Sequence, residues 1–343
     1  MKRGMLWVKV AASVLFIGLL LFSLDVRELA ARAKNVDVSY LAASLLFSFL
    51  MVAASTWKWW YLMRLQGFSI PFTRMFRWYF IGYFYSNFLP SNVGGDVARA
   101  WLAGRQVHAP GAALVAVFAE RFTGLVFLLL MAVTLPFLAP PLWRHPAVAV
   151  GIVAGACGLA GIALAWLGGK AGMRSAVFGR AVEKIRGWVR ADRPGRPRRL
   201  WEKACEKCGR FSTRAGDLWE IIRRRPAAFA SVAGLTALFY GLVIGNVALG
   251  YRAFGAWPDL SALACVLPVA LMVAMLPVTL GNLGIAEGSY VFYFGLIGMG
   301  RELTLAMGLL LRMKIIILGV IGMLVQAGEH MEGLPRRDEP PEG

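Results

Sequence analysis

Charge is scarce in this sequence, and acid is scarcer. Charged residues fill 16% of the 343 positions, with 19 Asp and Glu against 37 Lys and Arg, a formal net charge of +18. A soluble domain carries roughly 25% charge. A chain that is 58% hydrophobic lacks the polar surface to cover itself in water. A nucleic-acid binder would gather its basic residues on a packed domain; here they lie between long apolar stretches, and the mean hydropathy is +0.61. Histidine is limited to His108, His145 and His330, scattered and without acids at metal-ligand spacing. The four cysteines suggest no disulfide framework. Cys157 and Cys265 sit in apolar stretches and are expected to be packing residues. Cys205 and Cys208 form one C-x-x-C with no second pair to complete a zinc site. There is no nucleophile elbow and no P-loop, so no catalytic residue, metal or cofactor is expected. What remains is an all-α polytopic membrane protein.

A helix needs about 20 apolar residues to cross a bilayer. Six stretches meet that need: 6–24, 39–57, 111–138, 147–168, 227–250 and 303–327. The first follows Lys2 and Arg3 as a signal peptide would. The nearest A-x-A, Ala31-Arg32-Ala33, lies too far beyond it, so an uncleaved helix is expected. The second ends at Trp57-Lys58-Trp59-Trp60-Tyr61, which reads as an interfacial aromatic cluster. The polar segment 170–225 holds 17 Lys and Arg against 6 acids, which assigns it to the cytoplasm. Its apolar spacing, Phe178, Val182, Ile185, Val189 and then Trp201, Cys205, Cys208, Phe211, predicts two basic amphipathic helices on the membrane. These would attract anionic phospholipids, although a purely topological anchor would carry the same charge.

Two apolar regions, 72–102 and 260–299, are broken by Pro, Gly and an acid. With the basic loop and the N-terminus both cytoplasmic, each must enter and leave on the same side, as a re-entrant helical hairpin. The two halves then match with opposite orientation, each with three crossings and one hairpin, an inverted repeat of the kind that builds secondary transporters. Repeat 1 spans 1–139, repeat 2 spans 140–327, and 328–343 is a cytoplasmic tail expected to be disordered. The alternative is eight plain transmembrane helices.

The breaks repeat in detail. Pro90, Gly94, Gly95 and Asp96 in one half answer Pro277, Gly281, Gly284 and Glu287 in the other. Each acid is followed 25 residues later by an arginine within a crossing, Arg121 or Arg312. Charge at mid-membrane is expensive and faces the bundle interior. Two roles fit these arginines: pairing with Asp96, Glu120 or Glu287 to pin the hairpins, or binding a phosphate with a planar guanidinium. Arg99 lies three residues after Asp96, on its helix face, and could pair with it or extend the basic site. Asn92, Asn282, Ser91, Thr279 and Ser289 supply neutral polar groups that cap helices or line the site. Tyr83, Tyr85 and Asn87 read as packing residues.

Phe88-Leu89-Pro90-Ser91-Asn92-Val93-Gly94-Gly95-Asp96-Val97-Ala98-Arg99 resembles the hallmark of the transmembrane flippase domain of lysylphosphatidylglycerol synthase. Glu120-Arg121-Phe122-Thr123-Gly124-Leu125 and Pro277 through Gly288 resemble that family's other two signatures, in the same order, and Arg312 falls where the family places an arginine. The resemblance covers about 10–327 and implies a flippase that moves a phosphate-bearing lipid across a bacterial or archaeal cytoplasmic membrane. The chain looks like a stand-alone member without the soluble aminoacyl-transfer domain. The expected substrate-binding residues are Arg121, Arg312, Asn92, Gly94, Gly95, Arg99, Asn282 and Gly284. Asp96, Glu120 and Glu287 are expected to pair charges or exchange protons. A small-solute transporter on the same scaffold and an intramembrane transferase are the competing readings. Either a monomer or a homo-oligomer fits the sequence.

Overall fold

The computed structural model describes residues 36–88, 94–170, 211, 213–276 and 284–331. The first crossing (6–24), both hairpin tips, most of the basic segment, Cys205, Cys208 and the tail beyond Met331 lie outside the described residues. Within them the chain is helical throughout. Its long elements are α1 (Val38–Leu65), α2 (Phe72–Phe88), α3 (Gly94–Gln106), α4 (Pro110–Thr134), α5 (Pro146–Lys170), α6 (Pro226–Ala253), α7 (Leu260–Ala274), α8 (Ile285–Gly295) and α9 (Arg301–Met331). A 3-10 turn (Leu135–Leu138) and a short helix (Pro140–Trp143) link α4 to α5. Among the described residues five helices are long and apolar enough to cross a membrane: Val38–Leu65, Pro110–Leu138, Pro146–Ala165, Pro226–Ala253 and Arg301–Glu329. They contain four of the five crossings expected at those positions, and Pro146–Ala165 covers all but the last three residues of the fifth, 147–168.

Local chemistry sets the helix starts. Asp37 accepts from the Ser39 amide at 2.9 Å, and Asp259 from those of Ser261 and Ala262, satisfying amides that begin α1 and α7. Pro110 and Pro226 open α4 and α6, where the missing N–H costs nothing. Gly284 precedes α8 with φ of 84°, a left-handed angle that glycine adopts without a side-chain clash.

Small residues let backbones approach, as is common between helices in membranes. A Cβ on Gly95 of α3 would run into the Gly82 carbonyl of α2, and one on Gly322 of α9 would run into that of Phe80. These contacts bind α2 to α3 as a helical hairpin and seat it on α9. α1 lies along α6, and α7 pairs with α8 and leans on α4. Bulky side chains on the outside are apolar, among them Leu46, Phe118, Leu130, Val153, Phe229, Leu238, Ile316 and Leu324. That surface suits lipid.

The hairpin helices are short. α3 has 13 residues, α7 15 and α8 11. At 1.5 Å per residue these run roughly 16–23 Å, against a hydrocarbon core of about 30 Å. α2 ends at mid-height on α9, where Asn87 Nδ2 donates to the Ile315 carbonyl at 3.2 Å. Gln66 on the α1–α2 turn donates to the Ala112 carbonyl near the start of α4, so these two connections share one end of the bundle. At the other end the Asp37 amide donates to the Ala253 carbonyl, Cys265 Sγ to that of Leu135, and Tyr293 to that of Ala147.

Two expectations are corrected. Lys58 and Trp59 are not interfacial: α1 continues to Leu65, and both are buried inside the bundle at 4% and 0% exposure, while Trp57 faces out. Cys157 is exposed and packs nothing. α5 presents its glycine side, Gly151, Gly155 and Gly158, to α4 and α7, which turns Cys157 outward. Cys265 is buried as expected.

Candidate functional site

The first turn of α3 carries Asp96 at the hairpin break. Arg121, on α4, grips it with two hydrogen bonds, Nε to Oδ2 at 2.9 Å and Nη2 to Oδ1 at 2.8 Å. This two-pronged pairing is the strong form of a charged hydrogen bond. Arg99 reaches the same carboxylate from one turn along α3, with Nη2 at 2.7 Å from Oδ1. Its Nη1 donates to Glu120 Oε2, and Glu120 Oε1 accepts from the Tyr79 hydroxyl at 2.9 Å. The guanidinium of Arg99 also lies over the rings of Tyr79 and Trp59, at 4.5 and 5.2 Å. A continuous chain of bonds thus runs Tyr79–Glu120–Arg99–Asp96–Arg121. Its inner members are buried; at its outer end the Arg121 side chain is 58% exposed.

The second half repeats the outer link alone. Glu287, in the first turn of α8, accepts from Arg312 Nε at 2.8 Å on Oε1, and Arg312 Nη2 lies 2.7 Å from the same oxygen as an ion pair. Its Oε2 accepts from the Gly284 amide at 2.8 Å, which fastens the helix start to the ion pair. Arg312 is 30% exposed. Tyr290 stands where Arg99 stands relative to the acid, and Leu311 where Glu120 stands relative to the arginine. The inner charged pair therefore belongs to one half only.

Two further cations are buried between α1 and α6. Lys58 Nζ donates to Thr236 Oγ1 at 3.3 Å. Lys314 Nζ donates to Ser44 Oγ at 2.6 Å and to Asn246 Oδ1. Asn246 Nδ2 in turn donates to Ser48 Oγ at 3.1 Å. The two helices mirror each other here: Lys58 follows Ser48 on α1 by ten residues, and Asn246 follows Thr236 on α6 by the same ten. Each long polar side chain reaches the hydroxyl of the other helix.

The structure brings together Asp96, Arg99, Glu120 and Arg121 at one center and Gly284, Glu287 and Arg312 at another. Arg99 pairs with two acids and is fully enclosed. Glu120 turns to Arg99 and Tyr79, and the acid that Arg121 holds is Asp96. Gly95 serves the α2 contact, and Gly94 begins α3. Asn92, Asn282, Ser91 and Thr279 lie outside the described residues. Ser289 bonds the carbonyls of Ala286 and Ala270. Among the described residues no group of three or more His, Cys, Asp and Glu could hold a metal ion. Beyond the long spans, hydrogen bonds from Arg223 and Arg224 hold the exposed Glu220 carboxyl down at about 2.

Sequence reasoning placed Lys314 beside Arg312 in mid-span but missed its partners Ser44 and Asn246, and did not assign Lys58, Tyr79 or Trp59 to the site. The signal was there. Ser44, Ser48, Thr236 and Asn246 are isolated polar residues in otherwise apolar runs, which in a membrane implies partners on a neighboring helix.

Among known proteins, the model of the family described as the lysylphosphatidylglycerol synthase TM region matches residues 6–322. No curated protein and no solved structure matches the chain.

Proposed function

We propose a mechanism for this chain from the premise that it belongs to the lysylphosphatidylglycerol synthase transmembrane family and is a multi-pass lipid translocator. The guanidiniums of Arg121, which is exposed, and of Arg312, which is half-buried, hold the phosphate of a lipid headgroup while its tails stay in the bilayer. Asp96 and Glu287 orient them. The observation that carries this reading is Arg121: its acid fixes it along one edge, yet more than half of its side chain is exposed in the middle of a span. A charge at that depth needs a use that offsets its cost of ~2.5–3.5 kcal/mol on insertion scales. Arg99, enclosed by Asp96 and Glu120, positions Arg121 through Asp96 rather than meeting the lipid. Gly94, Gly95 and Gly284 shape the two helix breaks, and Asn92 and Asn282 are proposed as further substrate-binding residues.

The architecture in this reading is an inverted repeat. Segments 1–139 and 140–327 form the halves, and α2–α3 and α7–α8 are re-entrant hairpins. In support, the hairpin helices are too short to span and α2 stops at the middle of α9. The reciprocal Lys58–Thr236 and Asn246–Ser48 bonds also suit a two-fold relation between α1 and α6. The end bearing Arg64, Arg74, Arg77, Arg105, Arg214 and Arg223–Arg225 is the cytoplasmic one, by the positive-inside rule. Both termini and the tail 328–343 then face the cytoplasm of a bacterium or archaeon. The segment 170–225 rests on its anionic lipids. Rocking one half against the other would alternate access to the arginines.

The test is a headgroup-accessibility assay in proteoliposomes. Arg121→Ala and Arg312→Ala should each slow translocation ~10- to 100-fold, the worth of one charged hydrogen-bonded contact. Full activity in both variants would refute the clamp.

A further inference from the structure

Among the described residues no acid forms an ion pair with Lys58. It is 4% exposed, and among the described residues its only hydrogen bond is the 3.3 Å contact to Thr236. An ammonium has three protons to donate. Glu120 is close enough for its charge to act on Lys58, but Tyr79 and Arg99 already occupy its two oxygens. Thr236 also donates its own proton, to the Val232 carbonyl at 2.7 Å. A buried ammonium so poorly satisfied is costly unless something else pairs with it.

Lys58 points at a bare stretch of helix. Gly124 lies one turn after Arg121 and so on the same face of α4. A Cβ built on Gly124 would have Tyr240 Oη at 3.9 Å and Lys58 Nζ at 4.0 Å, with nothing else within 4 Å. The Tyr240 hydroxyl is committed to the Gly124 carbonyl at 2.9 Å. The local charges are Asp96 and Glu120 against Arg99, Arg121 and Lys58, one cation in excess. Lys314, by contrast, is held by two partners, Ser44 and Asn246.

We infer that Arg121, Lys58 and the bare backbone of Gly124 form a single seat for a phosphodiester anion. The proposal rests on the reading of Arg121 as a phosphate ligand and adds Lys58 and Gly124 to it. Arg121 presents a planar fork to two oxygens, and Lys58 supplies a point charge. One negative charge balances the excess cation. Glycine matters at 124 because a methyl group would project toward Lys58 Nζ and narrow the space that a phosphate oxygen bound to the ammonium needs.

The test measures binding of fluorescent phosphatidylglycerol to purified protein in micelles of a maltoside detergent, which carries no phosphate. Gly124→Ala introduces a methyl at ordinary contact distance, so it should fold as the parent does. It should weaken binding ~10-fold or more with an unchanged melting midpoint. Lys58→Met should weaken binding to a similar extent while raising or keeping the melting midpoint, and Lys58→Arg should retain most affinity. Competition by inorganic phosphate in the parent but not in Lys58→Met would mean that the seat accepts the anion free as well as lipid-borne. Its absence would restrict the seat to lipid phosphate. If Gly124→Ala and Lys58→Met bind like the parent while Arg121→Ala does not, the seat is wrong and the arginine clamp stands. If Arg121→Ala also binds like the parent, the clamp itself fails.

Discussion

Arg99 and Glu120 each bury a full charge, and neither would be tolerated alone. Removing one partner of a buried pair strands the other, at ~3–5 kcal/mol, whereas replacing both with apolar groups is often neutral. The second half carries that replacement already, with Tyr290 and Leu311 at the matching positions. Arg99→Met or Glu120→Leu alone should therefore lower stability in chemical unfolding by about 3–5 kcal/mol, and the double variant should recover most of the loss. Equal losses in the double and single variants would show that the pair does not act as a unit. The sequence made part of this center legible. Asp96, Arg99 and Arg121 are charges in apolar surroundings at telling intervals. The partner of Glu120 was not legible, because adjacent residues on a helix point in different directions. Lys58 was hidden for another reason. A lysine among tryptophans reads as interfacial, and hydropathy does not distinguish the membrane surface from a polar bundle interior.

At the level of elements, the breaks were readable because proline and glycine interrupt a helix in known ways. The seating of the hairpin was not, since it depends on which glycines face another backbone. Gly322 does so, against Phe80, while Gly234 on α6 has nothing within 4 Å of its Cβ position. Gly322→Leu should force α2 away from α9 and lower stability by about 1–3 kcal/mol, the usual cost of overpacking. Gly234→Ala should leave the melting midpoint nearly unchanged. Melting curves in detergent for the two variants check this, and equal melting would mean that α2 and α9 are not held by that contact. Cys157 illustrates the same limit. An apolar run establishes that a helix crosses, but not which side of it meets protein.

For the whole molecule, orientation separates the two architectures that the sequence leaves open. If both hairpins are re-entrant, the turn between α1 and α2 is cytoplasmic and the turn between α8 and α9 is external. If 72–102 and 260–299 each crossed once, keeping the basic segment 170–225 in the cytoplasm would place the N-terminus outside. Both turns would then change sides. Ser69 is exposed in the first turn, and Gly300 is exposed in the second with no neighbor at its Cβ position. With the four native cysteines replaced, an impermeant maleimide applied to intact cells should label Gly300→Cys at once and Ser69→Cys only after permeabilization. The reverse pattern would establish eight plain crossings and remove the two-fold relation between Asp96–Arg121 and Glu287–Arg312. The expected pattern would leave the two arginines at matching depths in halves of opposite orientation. A headgroup released from one could then meet the other without leaving the bundle.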